Sequence, residues 1–496
     1  MTWLTQRAAW LSSRLRLRDS LIFAAHAALL IGLMFVYRPL FMLKPADRDY
    51  KAPVIVWSLI RGDFVTLQRF FLGKGMGGLD LLFLLLPTAI LLVARRRLRW
   101  TDFDHGKSLR NFICVVLGVL VWSGSTADYN SYLDLGHFVD RGLLVAFGVA
   151  SYFTPLAVPF ALRLAFVLIK EAYVPIHQDD FDFRSLPEVL TVFSCFVWAS
   201  FFKSFKTRHF LFAGIACWAS YYFAAGVAKL NVGPEWWSWT LTDHVSNLSM
   251  GAHIRGWASW VSDDHFIAFN NVVRKGDLVS TLYTMILELG ALFAFFVRPR
   301  LTKWMFLGCF ALHFGIFTLT GICFWKWMIA NLAFFLYLGW GGKKPLEEMF
   351  KTPLIVAVMG ILLVWFSRER TYFFPQTGVA WYDSRMVENY LLYGIGKSGK
   401  RYFIDTSTLA PSDMQWTQGR LCYATKERSV TGIYGVGRNY DAIMALDATN
   451  DPQLAMRLLA KGRKCENPKQ QAVFDDYFKK YFQTLNEKGR QHRWLA

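Results

Sequence analysis

Apolar runs long enough, or nearly long enough, to cross a bilayer recur along most of this chain, at residues 20–36, 79–94, 111–124, 143–169, 188–203, 208–229, 279–297, 304–319, 323–340 and 353–366. A hydrocarbon core of about 30 Å takes roughly 20 apolar residues of helix, and the absence of water there forces backbone amides to be satisfied within the segment. These constraints predict an all-α polytopic membrane protein with about nine or ten transmembrane helices. A hydrophobic content of 54% and a mean hydropathy of +0.27 exceed what a soluble domain usually carries. Several runs fall short of a full span, so they are expected to extend into flanking polar residues or to be shielded by the bundle.

The formal charge of +19 over 496 residues would suit a nucleic-acid partner only if it lay on one face. Instead the basic residues cluster between apolar runs, at Arg14/Arg16/Arg18, Arg95/Arg96/Arg97/Arg99, Lys203/Lys206/Arg208, Arg298/Arg300/Lys303 and Lys343/Lys344. This is the positive-inside pattern, and it argues against nucleic acid. The basic N-terminus leads into an apolar run with no small-residue cleavage site after it, which reads as an uncleaved first span with a cytosolic flank. Three regions follow: a basic cytosolic segment 1–19, a transmembrane domain 20–366 and an extracytoplasmic region 367–496. Cytosolic clusters at Arg99 and Lys203 demand an even number of crossings between them, yet three candidate runs lie there. The run 143–169 is long and holds Pro155 and Pro159, so it is expected to be broken, re-entrant or only partly inserted.

Residues 230–278 carry Trp236, Trp237, Trp239, Trp257 and Trp260, which suits an interfacial belt or an amphipathic segment. Region 367–496 is polar, with strand-like KRYFIDTS and SVTGIYGV followed by helical DPQLAMRLLAKG and QQAVFDDYFKKYFQTLNEK. It reads as a small α+β appendage. Cys114, Cys195, Cys217, Cys309 and Cys323 lie in apolar runs and read as buried hydrophobes. Cys422 and Cys465, in the polar region, fit either one disulfide or two thiols. Asp128, Asp134, His137 and Asp140 are too irregularly spaced for a metal set and read as a solvated acidic loop; no metal is expected.

A charge inside a membrane helix costs a few kcal/mol or more, so each one marks a candidate site. Four such residues stand out: Lys229, Glu288, His313 and Lys326. Each also has a structural reading. Lys229 ends its run and could snorkel; His313 could be a satisfied core histidine; Glu288 and Lys326 could form an ion pair. A lysine at a membrane boundary has a further use, because desolvation frees an amine to act as a base.

The segment YYFAAGVAKLNVGPEWW, Tyr221 to Trp237, resembles a helix of the vitamin K-dependent gamma-carboxylase family and its bacterial HTTM relatives. There a Gly-hydrophobic-x-Lys-Leu motif supplies the base that deprotonates vitamin K hydroquinone, matched here by Lys229. LHFGIFTLTGICFWKWMIANLAFF is similar to a second family segment, with His313, Gly321 and Trp325 at its matching positions, and YTMILELGALF is similar to the acidic helix that supplies Glu288. Through this resemblance Lys229, His313 and Glu288 are the expected catalytic residues. Trp325, Tyr222 and Asn130 are the expected contacts to the cofactor, a reduced vitamin K or another quinone. The sequence departs from the family at Asn130, where the carboxylases carry histidine, at Asn231, and in lacking a large substrate-capturing region.

The resemblance implies an outward-facing polar cavity and vitamin K-dependent carboxylation, or a related oxidative modification, of a peptide or protein substrate. The implied partners are membrane lipids, a quinone and that substrate. The alternative is a non-catalytic membrane protein for peptide or lipid binding, export or resistance, its polar residues serving helix packing. A secondary transporter would carry inverted repeats, and none is visible.

Overall fold

The computed structural model describes residues 17–41, 67–72, 79–95, 98–126, 138–172, 181–349, 358, 361–362, 392–404, 428–429, 440–464 and 467–491, with 69, 255, 298 and 462 excepted. Helices follow one another as α1 (Leu17–Phe41), α2 (Asp80–Arg95), α3 (Gly106–Thr126), α4 (Val139–Phe153), α5 (Val158–Ala172), α6 (Phe181–Ala199) and α7 (Thr207–Leu230). Short helices α8 (Ser238–Thr242), α9 (Val245–Ile254) and α10 (Asp263–Lys275) come next. Then follow α11 (Asp277–Val297), α12 (Pro299–Thr320), α13 (Trp325–Trp340) and α14 (Lys343–Met349).

Among the described residues, four segments are long and apolar enough to cross a membrane: Ser20–Arg38, Gly106–Thr126, Thr207–Leu230 and Leu301–Thr320. Shorter apolar helices lie at Asp80–Ala94, Pro155–Leu168 and Leu186–Ala199. A turn can divide an expected apolar run into two shorter helices. The run 143–169 is the clearest case. Thr154 is extended (φ −140°, ψ 132°), its hydroxyl accepts the Leu156 amide at 3.4 Å, and a 3-10 turn Pro155–Ala157 divides α4 from α5. Proline suits that first position because its missing N–H would have had no helical partner.

Burial identifies the central helix. Of the most apolar 18-residue stretch in Thr207–Leu230, 83% is buried, against 33% for that in Ser20–Arg38 and 22% for that in Leu301–Thr320. A helix that is apolar all round belongs in the middle of a bundle, and α7 packs against α1, α6, α11 and α14. Its start is capped by His209, whose Nδ1 accepts the Lys206 amide at 2.9 Å. A second group of helices, α3, α4, α5 and α13, packs beside it. On that side Arg163 of α5, wholly buried, meets Asp80 of α2 at 2.9 Å and donates to the Phe70 carbonyl at 3.0 Å. Neither charge is left alone in apolar surroundings.

Cysteines mostly follow expectation: Cys195, Cys217 and Cys309 are buried and Cys114 is partly so, but Cys323 is exposed because it lies in the turn between α12 and α13. Asp140 is buried in the first turn of α4 rather than solvated. Asp128, Asp134 and His137 lie outside the described residues, as do Cys422 and Cys465. Among the described residues no cluster of metal-ligating side chains occurs.

Residues 230–278 divide into an inner wall and an outer surface. Trp239 is buried, whereas Trp236 and Trp260 are 77% and 79% exposed. Helix α10 carries acidic residues in its first turn and Arg274 and Lys275 in its last. Phe266 anchors it, stacked on His253 with ring centroids 3.8 Å apart, while Phe269 and Val272 project outward beside exposed Leu278 and Val279. An amphipathic helix with that apolar face outward suits the bilayer interface. A spin label at Val272→Cys is therefore expected, in proteoliposomes, to collide more often with dissolved O2 than with a water-soluble nickel chelate.

The C-terminal region contains strands β1 (Leu392–Ile395) and β2 (Arg401–Ile404), which pair antiparallel with Leu392 opposite Ile404. It also contains β3 (Arg428–Ser429), α15 (Tyr440–Ala448), α16 (Pro452–Ala460), β4 (Arg463–Lys464) and α17 (Pro468–Gln491), with β3 antiparallel to β4. Both sequence-expected helices are present. Helix α15 was not expected, and it docks by Ile443 against Ala228, Val232, Trp239 and Met285. Gly233 makes this approach possible. Its φ is +82°, and a Cβ there would meet Ser238 at 2.5 Å and the Tyr440 ring at 2.9 Å.

Candidate functional site

Helical spacing places Tyr222, Ala225, Gly226 and Lys229 on one stripe of α7. That stripe faces α11, and the two backbones come close because Gly226 has no side chain. A Cβ at Gly226 would lie 2.9 Å from Leu289 Cδ2 and 3.0 Å from Glu288 Cβ. One turn further on, the approach allows Lys229 Nζ to donate to both carboxylate oxygens of Glu288, each at 2.8 Å. The pair is nearly sealed, with side-chain exposures of 8% and 7%. The Trp239 ring lies over the ammonium, its centroid 5.2 Å from Nζ. Gly226→Val is expected to lower stability by about 1–3 kcal/mol through overpacking, read as a lowered melting temperature in detergent.

Helix α12 closes the opposite side, itself held near α11 where Gly308 faces Leu287 and accepts the Tyr283 hydroxyl at 3.0 Å. It presents His313, whose Nε2 bonds the Tyr222 hydroxyl at 3.0 Å. Asn331 of α13 donates from Nδ2 to that same hydroxyl at 2.6 Å, and Trp218 Nε1 donates to Asn331 Oδ1 at 2.9 Å. Phe324 and Trp327 stand around the imidazole, with ring centroids 5.1 Å and 5.8 Å away. His313 Nδ1 is buried and has no hydrogen-bond partner among the described residues.

Both groups open on one cavity of about 290 Å³. Lys229, Glu288, Tyr222 and His313 line it together with Trp239, Asp243, Thr284 and Phe324. Benzene occupies an engineered apolar cavity of about 150 Å³, so a two-ring aromatic fits within this volume.

The structure thus brings together Lys229, Glu288, His313 and Tyr222 of the sequence-expected set. Glu288 pairs with Lys229 rather than with Lys326, whose Nζ lies 5.8 Å from the Trp325 ring centroid. Trp325 does not line the cavity and packs against the hydrophobic core. Helix α13 begins at Trp325, and two residues turn a helix by about 200°, so Trp327 faces the cavity in its place. Asn130 lies outside the described residues. Sequence reasoning missed Asn331 and Trp218, neither charged and both in apolar runs, and Trp239, which it placed at the interface. The one available signal for Asn331 was an amide in an apolar stretch, which in a bundle marks an interhelical hydrogen bond. Searched against protein-family models, curated proteins and solved structures, the chain matches none of them.

Proposed function

We propose that this chain is a multi-pass integral membrane protein of the HTTM and gamma-carboxylase type, with about nine or ten membrane helices, a cytosolic N-terminus and an extracytoplasmic C-terminal region. Its cavity binds a quinone or another lipid-soluble aromatic, and Lys229 acts on that ligand as a general base. The observation that carries this reading is the burial of an amine–carboxylate pair and an imidazole on the walls of one apolar chamber. Buried ionisable groups in a membrane protein mark function more often than packing.

The residues fit the ligand class: the volume admits a fused ring pair, the walls are aromatic, and His313 Nδ1 has no partner among the described residues. When bound, a reduced quinone would supply an acidic hydroxyl and the electrons that reduce O2, an oxidation whose free energy would drive deprotonation of a peptide carbon and its redox-neutral capture of CO2. Lys229 can take a proton only while its amine is neutral, so Glu288 must hold or pass on the proton that the pair shares. Trp239 and the close contact at Gly226 keep water from the pair. Tyr222 orients His313.

Turnover tests this reading. Reconstituted protein supplied with a reduced naphthoquinone and O2 should oxidise it, and Lys229→Met/Glu288→Leu, which keeps the volume and removes the proton chemistry, should not. Equal rates in the two proteins would defeat it. The second reading, a non-catalytic lipid- or peptide-binding protein, is favoured by one feature: Lys229 is already satisfied by both Glu288 oxygens. It predicts that the double variant binds and transports as the parent does.

A further inference from the structure

The hydrogen bonds behind the cavity have a direction that is fixed at one end. An indole N–H can only donate, so the Asn331 atom it meets at 2.9 Å is the amide oxygen, and the amide nitrogen is left to donate to the Tyr222 oxygen at 2.6 Å. The Tyr222 O–H must then turn to an acceptor. His313 Nε2 lies 3.0 Å away, and Cys309 is also beside the hydroxyl. Imidazole nitrogen accepts well and thiol sulfur weakly, so the hydroxyl donates to Nε2. A neutral imidazole that accepts at one nitrogen carries its proton on the other. The other is Nδ1, the buried atom with no partner among the described residues, on a residue that lines the cavity.

We infer that Trp218, Asn331 and Tyr222 are positioning residues that hold His313 as its Nδ1–H tautomer, making that N–H the anchor for a hydrogen-bond acceptor on the ligand. The site then selects an oxygen-bearing ring over a hydrocarbon of the same outline. That the oxygen is a quinone carbonyl rests on the function proposed above; the tautomer does not. A ligand without the acceptor leaves a buried donor unpaired, which weakens binding about tenfold or more.

Nitrogen NMR on the full chain labelled with 15N-histidine reads the tautomer directly, the His313 signals being those lost in His313→Gln. The expected spectrum has Nδ1 protonated and Nε2 bare. Tyr222→Phe should convert it to a mixture of tautomers, and Asn331→Leu, which leaves the Tyr222 hydroxyl free to rotate, should do so in part. Affinities for 2-methyl-1,4-naphthoquinone and 2-methylnaphthalene supply the second arm, with the quinone expected about tenfold tighter in the parent and the preference lost in Tyr222→Phe. A proton on Nε2, or on both nitrogens, would overturn the relay whatever binds. The expected tautomer with equal affinities would overturn the selection. If neither compound binds, the quinone reading of the cavity fails, while the spectrum still decides the relay.

Discussion

Lys229→Ala is expected to lower stability by about 3–5 kcal/mol, because it strands the Glu288 carboxylate in a sealed, apolar setting. The loss does not by itself show that the pair is a net stabiliser. Two charges taken from water repay their desolvation only in part, and a buried pair replaced by apolar residues of like volume is often neutral. Lys229→Met/Glu288→Leu should therefore recover most of what Lys229→Ala loses. Thermal melts in detergent of the parent, both single variants and the double variant check this, with a coupling of several kcal/mol expected between the two sites. The result bears on how the lysine can be tested at all. An alanine scan would depress yield whether Lys229 performs chemistry or merely pairs, so only the volume-preserving double variant separates the two.

Gly321→Val should be nearly as damaging, at about 3 kcal/mol. Gly321 ends α12 with φ +75°, where a β-branched residue is strained by about 1–3 kcal/mol. A Cβ there would also meet the Trp257 ring at 2.4 Å, adding an overpacking cost of similar size. Trp257 is held by its indole N–H, which donates to the Thr318 carbonyl at 3.2 Å, and by the Phe317 ring with centroids 5.5 Å apart. Displacing it would move the turn that sets Phe324 beside His313. Trp257→Ala in the Gly321→Ala background should relieve the clash and leave the backbone strain. Melting temperatures of the two singles and the double would apportion the terms.

How much of this could be read beforehand depends on the kind of physics each feature uses. Lys229, Glu288 and His313 were legible because a charge or an imidazole in an apolar run is expensive wherever the helices go. Their pairing was not. Whether Glu288 meets Lys229 or Lys326 turns on how close α7 and α11 approach, and a single glycine, Gly226, sets that distance. The break at Pro155 was legible because proline's missing donor acts locally. Asn331 and Trp218 were hidden, since one amide or indole scarcely alters the hydropathy of a run and its direction exists only once three helices have packed. The side of α13 that Trp325 takes was hidden as well, because helix phase follows from the start point at the Gly321 turn and two residues shift it by about 200°. Helix α15 is a short apolar stretch within the polar C-terminal region, and its role as the backing of Trp239 through Ile443 is a tertiary contact that such a stretch does not announce.

The most direct measurement is mass spectrometry of the lipids that remain with the protein after purification in detergent. The parent should retain about one equivalent of an oxygen-bearing, ring-containing lipid such as a quinone. Gly315→Trp, which fills the chamber from its α12 wall, should retain none of it while still giving a folded preparation. The same lipids in the same amounts in both proteins, or a folded parent carrying no ring-containing lipid, would contradict a ligand held between Lys229 and His313.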